Sequence, residues 1–564
     1  MNGLLNLPVE IILAILDRIP KKSLLHLSLT CHSLNNLSTS ALFERCGIQD
    51  PTKCTFDLYL TTEGEVDALS ALQASLHIQQ MKFLRCNFHL LGSYSREWPF
   101  TKLARRLHRL MLRLTSIDEV VFSFDMYTRR ITGIRDIKDL HEIFLRSGVI
   151  VLQNLLNTVI TKCKIFRIMS AGPFFGESYI FNPLDSGSSI TQGLQRFVHR
   201  DDSPDWQYTR NVSTGTRPFL TCPPAALQQI ALSKVEIDAL SLFTPPCSNW
   251  TFTVLKQSRI TSLTLNLTWP TSRYMEAERS LIFSRLAESL QASLKFLFLK
   301  GVTHLLDALG FIAQLPLLEL FGVLPWMWKA SIDESSTITS FPLVLNMETI
   351  SAPADLVFYM FSRSLIVPRL RTISLAFQIK KIGELFDVTT TATSIAQLRG
   401  SVGPNVKLLV LFHFVGVPSF EESLCDGVQP ICPIWEQEFS RFTTLSLNGP
   451  IALLDSPNTF RVILGVLTLF SKLEELYIEL KTSYQAAPTP TNLKTWMVEA
   501  ILDRSPNVTS ISCNKTAQRM TPCQCTSEWV PIMSCRANLN KRMPNHRPAG
   551  HEGEFGRARR VLWR

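Results

Sequence analysis

The sequence predicts an α/β protein: a trihelical module at the N-terminus, then a long irregular array in which short parallel strands alternate with helices. Three observations carry this. Residues 7–19 form a Pro-initiated apolar run of helical period, followed by further helical stretches to residue 42. From residue 78 to residue 513 the triplet apolar-x-x-apolar-x-apolar keeps returning. A chain of 564 residues, 46% hydrophobic and 18% charged, has a folded composition and exceeds one ordinary domain.

The N-terminal elements follow from their residues. Pro8 suits the first position of a helix, where its missing N–H costs nothing. Glu10 falls in the first turn, beside the positive end of the helix dipole. Ile11 and Ile15 make one apolar stripe and Ile12, Leu16 and Ile19 the next, leaving Glu10, Asp17 and Lys21 on the wet face. So wide an apolar arc requires burial on two sides, against its own domain and against something else. Pro20 stops the helix, and Ser23 is a fitting N-cap for a second one carrying Leu24 and Leu27. Cys31 to Leu42 can form a third, with Leu34, Leu37 and Ala41 at helical spacing. A module this small buries too little surface to be comfortably stable alone.

Leu7-Pro8-Val9-Glu10-Ile11-Ile12, Ile15-Leu16, Leu24, Leu27 and Thr30-Cys31 together resemble the F-box, a helical module that docks a protein onto a ubiquitin-ligase scaffold. His32 stands where that family usually has Lys or Arg. The resemblance implies binding to a Skp-type linker and through it to a cullin. It carries the linker contact onto Leu7, Pro8, Ile11, Ile15, Leu24, Leu27 and Leu34.

The triplet recurs as Ile78/Met81/Phe83, Ile117/Val120/Phe122, Cys163/Phe166/Ile168, Leu227/Ile230/Leu232, Ile260/Leu263/Leu265 and Leu294/Leu297/Leu299. It continues as Leu315/Leu318/Leu320, Leu370/Ile373/Leu375, Val406/Leu409/Leu411, Phe442/Leu445/Leu447, Leu473/Leu476/Ile478 and Val508/Ile511/Cys513, with Met347/Ile350 a weaker member. Chance alone supplies such a triplet at roughly one start in ten, so context decides. Pro stands two places ahead in Pro368-Arg-Leu370, Pro404-Asn-Val406 and Pro506-Asn-Val508, marking a turn that enters a strand. The intervening stretches 277–291 and 493–502 have apolar residues at helical steps. A short strand and a helix in each repeat resemble a leucine-rich-repeat-like solenoid, strands lining a concave face and helices a convex one. The asparagine of regular repeats is clean only at Leu447-Asn448. The expected organisation is an F-box over 1–46, a linker over 47–72, the solenoid over 73–513 with an insertion or long loop at 182–226, and a basic disordered tail over 514–564.

The net charge of +10 does not make this a nucleic-acid binder: residues 514–564 hold ten Lys/Arg against three Asp/Glu and so supply +7 of it. No uncharged apolar run approaches the ~18 residues a membrane span needs. No secretory signal is recognisable, and the 13 scattered cysteines suit a reducing compartment, so a cytoplasmic or nuclear protein is expected. Nucleophile-elbow, phosphate-loop and dinucleotide fingerprints are missing, and His141-Glu142 is not completed to a zinc-protease motif because Leu145 follows. Cys513, Cys523, Cys525 and Cys535 lack the close-paired spacing of structural zinc sites. No metal, cofactor or catalytic residue is assigned. The expected function is that of a non-catalytic substrate-recognition adaptor of an SCF-type ligase, of the kind found in the large F-box families of filamentous fungi. Its target is an unknown protein, held by the concave face or by the 182–226 insertion. The alternative is an interaction scaffold with no ligase role.

Overall fold

The computed structural model describes residues 6–58, 66–89, 99–125, 148–169, 179–181, 208–210, 220–238, 240–267, 276–302, 305–324, 344–363, 365–379, 388–414, 433–450, 457–481, 493–513, 516–522 and 529–531. It forms two compact units, residues 1–378 with 394–409, and residues 379–393 with 410–564. The first opens with three helices, α1 (Val9–Leu16), α2 (Lys21–Ser28) and α3 (His32–Arg45). Strands and helices then alternate: β1 (Lys53–Leu58), α4 (Ala68–Ala74), β2 (Gln80–His89), α5 (Pro99–Arg113), β3 (Ser116–Asp125), α6 (Val149–Lys162), β4 (Cys163–Met169), β5 (Tyr179–Phe181), β6 (Tyr208–Arg210), α7 (Pro224–Leu227), β7 (Lys234–Asp238), α8 (Ser248–Gln257), β8 (Ser262–Leu267), α9 (Glu276–Leu290), β9 (Phe296–Val302), α10 (Leu305–Ala313), β10 (Leu320–Val323), β11 (Thr349–Pro353), α11 (Ala354–Ser362) and β12 (Thr372–Ile379). Two further elements, α12 (Val388–Val402) and β13 (Lys407–Phe414), have residues in both units. The second unit continues with α13 (Pro433–Phe439), β14 (Thr444–Pro450), α14 (Pro457–Leu467), β15 (Glu475–Lys481), α15 (Thr495–Arg504), β16 (Ser510–Cys513), β17 (Thr516–Pro522) and β18 (Trp529–Pro531).

Within the first unit, strands β1 to β4 and β7 to β12 pair in parallel and in chain order, as crossover helices demand. One apolar row runs across them: Cys54, Leu84, Val120, Phe166, Val235, Leu263, Leu297, Phe321, Ile350 and Ile373 lie opposite one another in successive strands. All ten are buried. Val410, Leu445, Leu476 and Ile511 make the same row in the second unit, where β17 and β18 follow antiparallel. No repeat could cover this row alone; stacking neighbours makes it continuous, which is the physical basis of a leucine-rich-repeat-like solenoid.

The row fixes the phase of each repeat and corrects four of the expected triplets. The core members are Met81/Leu84/Cys86, Leu232/Val235/Ile237 and Leu318/Phe321/Val323 where Ile78/Met81/Phe83, Leu227/Ile230/Leu232 and Leu315/Leu318/Leu320 were expected. In β13 Leu408, Val410, Phe412 and Phe414 are buried and Leu409 and Leu411 half-buried, one position off the expected Val406/Leu409/Leu411, a slip that exchanges the two faces of the strand. Gly403 at φ +81° ends α12 just before it. The recurring proline is explained by tight turns: Leu370 N–H donates to Val367 O (3.1 Å) and Val508 N–H to Ser505 O (3.1 Å), so Pro368 and Pro506 occupy the second turn position that their fixed φ favours. Leu318 N–H donates to Leu315 O (3.3 Å) around Pro316 in the same way.

Three boundaries also move. The first strand, β1, lies inside the stretch expected as linker and pairs with β2. In the stretch expected as a disordered tail, residues 516–522 and 529–531 are strands. Pro8 is the N-cap residue of α1, and its carbonyl accepts from Ile11 and Ile12 N–H at 3.0 and 3.1 Å; Pro20, not Ser23, caps α2. Most of the 182–226 insertion, the 483–492 loop, His141-Glu142, Cys523, Cys525 and Cys535 lie outside the described residues.

Candidate functional site

The first candidate surface is the N-terminal module. Its helices close on Ile12, Leu16, Leu24, Leu34, Leu42 and Phe43, all buried. Apolar residues on either side of that buried face are left open: Leu7, ahead of α1, is 38% exposed, Val9 53% and Leu13 45% on one flank, Ile11 49% on the other, where Ile15 is half-buried. Among the residues expected to meet the linker, Leu7, Pro8 and Ile11 are at the surface, Ile15 and Leu27 are half-buried, and Leu24 and Leu34 are inside the module. Leu24 and Leu34 therefore support the surface from beneath. Val9 and Leu13 on α1 and Leu29 (68% exposed) after α2 are further exposed apolar residues of the module. The sequence carried a signal for Val9 and Leu13, which stand four residues apart on the same helix, outside the two stripes expected.

The module is held rigidly to the first repeat. Asn35, 2% exposed on α3, donates from Nδ2 to Ser28 O and Ala74 O, both at 2.7 Å, and accepts from Leu76 N–H at 3.0 Å. One amide thus joins the end of α2, α3 and the end of α4. Arg45 closes the end of α1 by donating to Leu16 O at 2.9 Å and to the carbonyls of Asp17 and Ile19. Phe43 meets His77 edge-on with ring centroids 6.3 Å apart.

The second candidate surface is the sheet face away from the helices. Strand alternation puts Glu119, Arg167, Glu236 and Thr264 there, opposite the buried row. Arg167 pairs with Glu119 (2.8 Å) and Glu236 (3.1 Å); Lys300 pairs with Glu236 and lies 3.8 Å from Asp238. Asn266 Nδ2 donates to Asp238 Oδ1 at 2.6 Å. Glu236 is buried, and a carboxylate so placed is tolerable because two cations flank it. Phe298 lies over Gly322, where a Cβ would meet its ring at 2.5 Å, and Phe296 is 36% exposed beside it. The face thus offers fixed charges of both signs and aromatic surface across β3 to β10.

Among the described residues neither surface carries an assembled catalytic group. Burial pushes the Cys54 thiol up to about 12 and the Cys222 thiol up to about 11, and it raises Cys86 and Cys163 as well, the reverse of what activates a nucleophilic cysteine. Among the described residues no cluster of His, Cys, Asp and Glu could hold a metal ion, and no helix is long and apolar enough to cross a membrane.

Residues 4–45 match the F-box domain family. No curated protein matches the chain. Among solved structures, the leucine-rich repeat-containing protein LegL7 from Legionella pneumophila is similar over 87% of this chain and 99% of its own, at 12% identity and a TM-score of 0.27. At that score the repeat architecture rests on the strand row described above.

Proposed function

We propose that this chain is a substrate-recognition adaptor of an SCF-type ubiquitin ligase. Its F-box at residues 4–45 binds a Skp-family linker, which bridges to a cullin, and its repeat region holds a target protein. The observation that carries the reading is the set of exposed apolar residues at the start of the module, Leu7 ahead of α1 and Val9, Ile11 and Leu13 on it, beside a core of buried Ile12, Leu16, Leu24 and Leu34. Exposed apolar residues gathered on one small module mark an interaction site, and these lie within the family match. The open face of β3 to β10 supplies the target surface, because its charges are pinned by their neighbours and bind without the entropy cost of ordering free side chains. The chain needs no nucleophile of its own. Holding target and charged conjugating enzyme together makes ubiquitin transfer effectively intramolecular.

Co-purification with the linker tests the reading. Wild-type protein is expected to retain the linker through a high-salt wash, since the contact is apolar, and Ile11→Asp to lose it. No association of the wild type would sink the adaptor reading and leave an interaction scaffold.

A further inference from the structure

We propose that the outer face of α5 is a docking surface for an acidic polypeptide segment. This helix contains five Lys/Arg and no Asp or Glu. Two of the five are used within the fold. Arg106 donates to Asp67 at 2.6 and 2.9 Å and to Ser70 Oγ at 2.8 Å, and Arg113 donates to the carbonyls of Leu72 and Gln73. The other three, Lys102, Arg105 and Arg109, are exposed, and among the described residues none has a carboxylate within ion-pair distance. Their spacing of three and four residues sets them on one stripe about 10 Å long. Elsewhere in the same unit several surface cations find a carboxylate on the neighbouring repeat, Lys164 with Asp118, Lys256 with Glu288, Lys295 with Glu319 and Arg371 with Glu348, while others such as Arg259 and Arg369 stand singly among the described residues. On α5, among the described residues, three cations on one stripe have no such partner, an arrangement that a complementary acidic segment of another molecule fits.

The surroundings narrow the chemistry of that molecule. Leu112 on α5 is 57% exposed and Ile150 on the adjacent α6 is 62% exposed. The two helices are joined where His108 meets Thr158 at 3.0 Å and Lys162 Nζ donates to Leu112 O at 2.8 Å. Basic residues beside isolated aliphatic ones suit a protein interface with a polar rim. None of the described side chains of α5 or α6 is an exposed aromatic, so the face lacks the stacking platform of a single-stranded nucleic-acid binder. Two aliphatic side chains are too little apolar area for insertion into a bilayer. Carboxylates at helical or extended spacing on a polypeptide meet the three cations directly.

The test is fluorescence anisotropy with the full chain and a labelled Glu-Glu-Leu repeat peptide. Lys102→Glu, Arg105→Glu and Arg109→Glu combined are expected to weaken binding about tenfold or more. A control with the same charge change at the exposed Arg259, Arg369 and Lys407 should move it by less than about threefold. Thermal melts confirm folding, and the corresponding Gln variants, which also lose affinity, serve if charge reversal disturbs it. Equal losses in site and control variants, or no loss in the site variant, would overturn the proposal. So would tighter binding of an RNA oligonucleotide or of phosphatidylserine vesicles that the same three substitutions abolish.

Discussion

Asn35 shows what one residue decides here. Its amide satisfies the carbonyls of buried Ser28 and Ala74 and the N–H of Leu76, at the ends of two other helices and just beyond one of them. Asn35→Ala is expected to cost about 2–4 kcal/mol, read as a shift in the urea midpoint. An effect below about 0.5 kcal/mol would mean that water replaces the amide. Nothing in the sequence marks this asparagine, because Ala74 and Leu76 are 39 and 41 residues away. Asp67 is comparable on α4. Burial raises its carboxyl, but hydrogen bonds from the Arg106 side chain and from the Ser70 side chain and backbone outweigh burial and hold the pKa below the ordinary value. A carboxyl depressed in the folded state contributes stability above its unfolded pKa of about 4, lost as pH falls through the folded value. Asp67→Asn should therefore be destabilising near pH 7, with the difference from wild type shrinking in acid. Denaturant midpoints at about pH 7 and about pH 3 check this; a constant difference would show that the charge is not what matters.

At the scale of the element, α1 separates its apolar residues by face. Ile12 is 3% exposed and Ile11 49% exposed, one step apart on the same helix. Ile12→Asp buries an unpaired charge and is expected to unfold the module, whereas Ile11→Asp should leave its melting unchanged within about 0.5 kcal/mol while removing linker binding. Loss of helix signal in both variants would contradict the division of faces. Strand phase was legible to a lesser degree. Where a strand has apolar residues on both faces, as in Met81, Phe83, Leu84 and Cys86, the triplet can be drawn in two ways and period alone does not choose. The cue was present at Pro316, two residues ahead of Leu318, in the same turn position as Pro368 and Pro506. In β13 the same cue misleads: Pro404 is followed by a strand whose buried face begins one residue later.

Across the whole molecule, each repeat meets mainly its neighbours in the stack, so damage should stay local. Leu286 is fully buried in α9, which packs between α8 and α10. Leu286→Ala is expected to cost about 2–5 kcal/mol and to raise amide exchange chiefly in β8, β9 and β10, leaving the N-terminal module protected. Uniform loss of protection through the first unit would indicate a single cooperative core instead. The three-helix module, its resemblance to the F-box, the alternation of strand and helix and the concentration of positive charge over residues 514–564 are legible in the residues alone. These are local properties, written in helical and strand period and in the residues that start and stop elements. Which apolar residues of α1 stay open, which phase of each triplet is buried, and where Asn35 and the Glu119–Arg167–Glu236–Lys300 network find their partners emerge only on packing. Those features join residues tens of positions apart, and their energies exist only once neighbouring repeats are stacked.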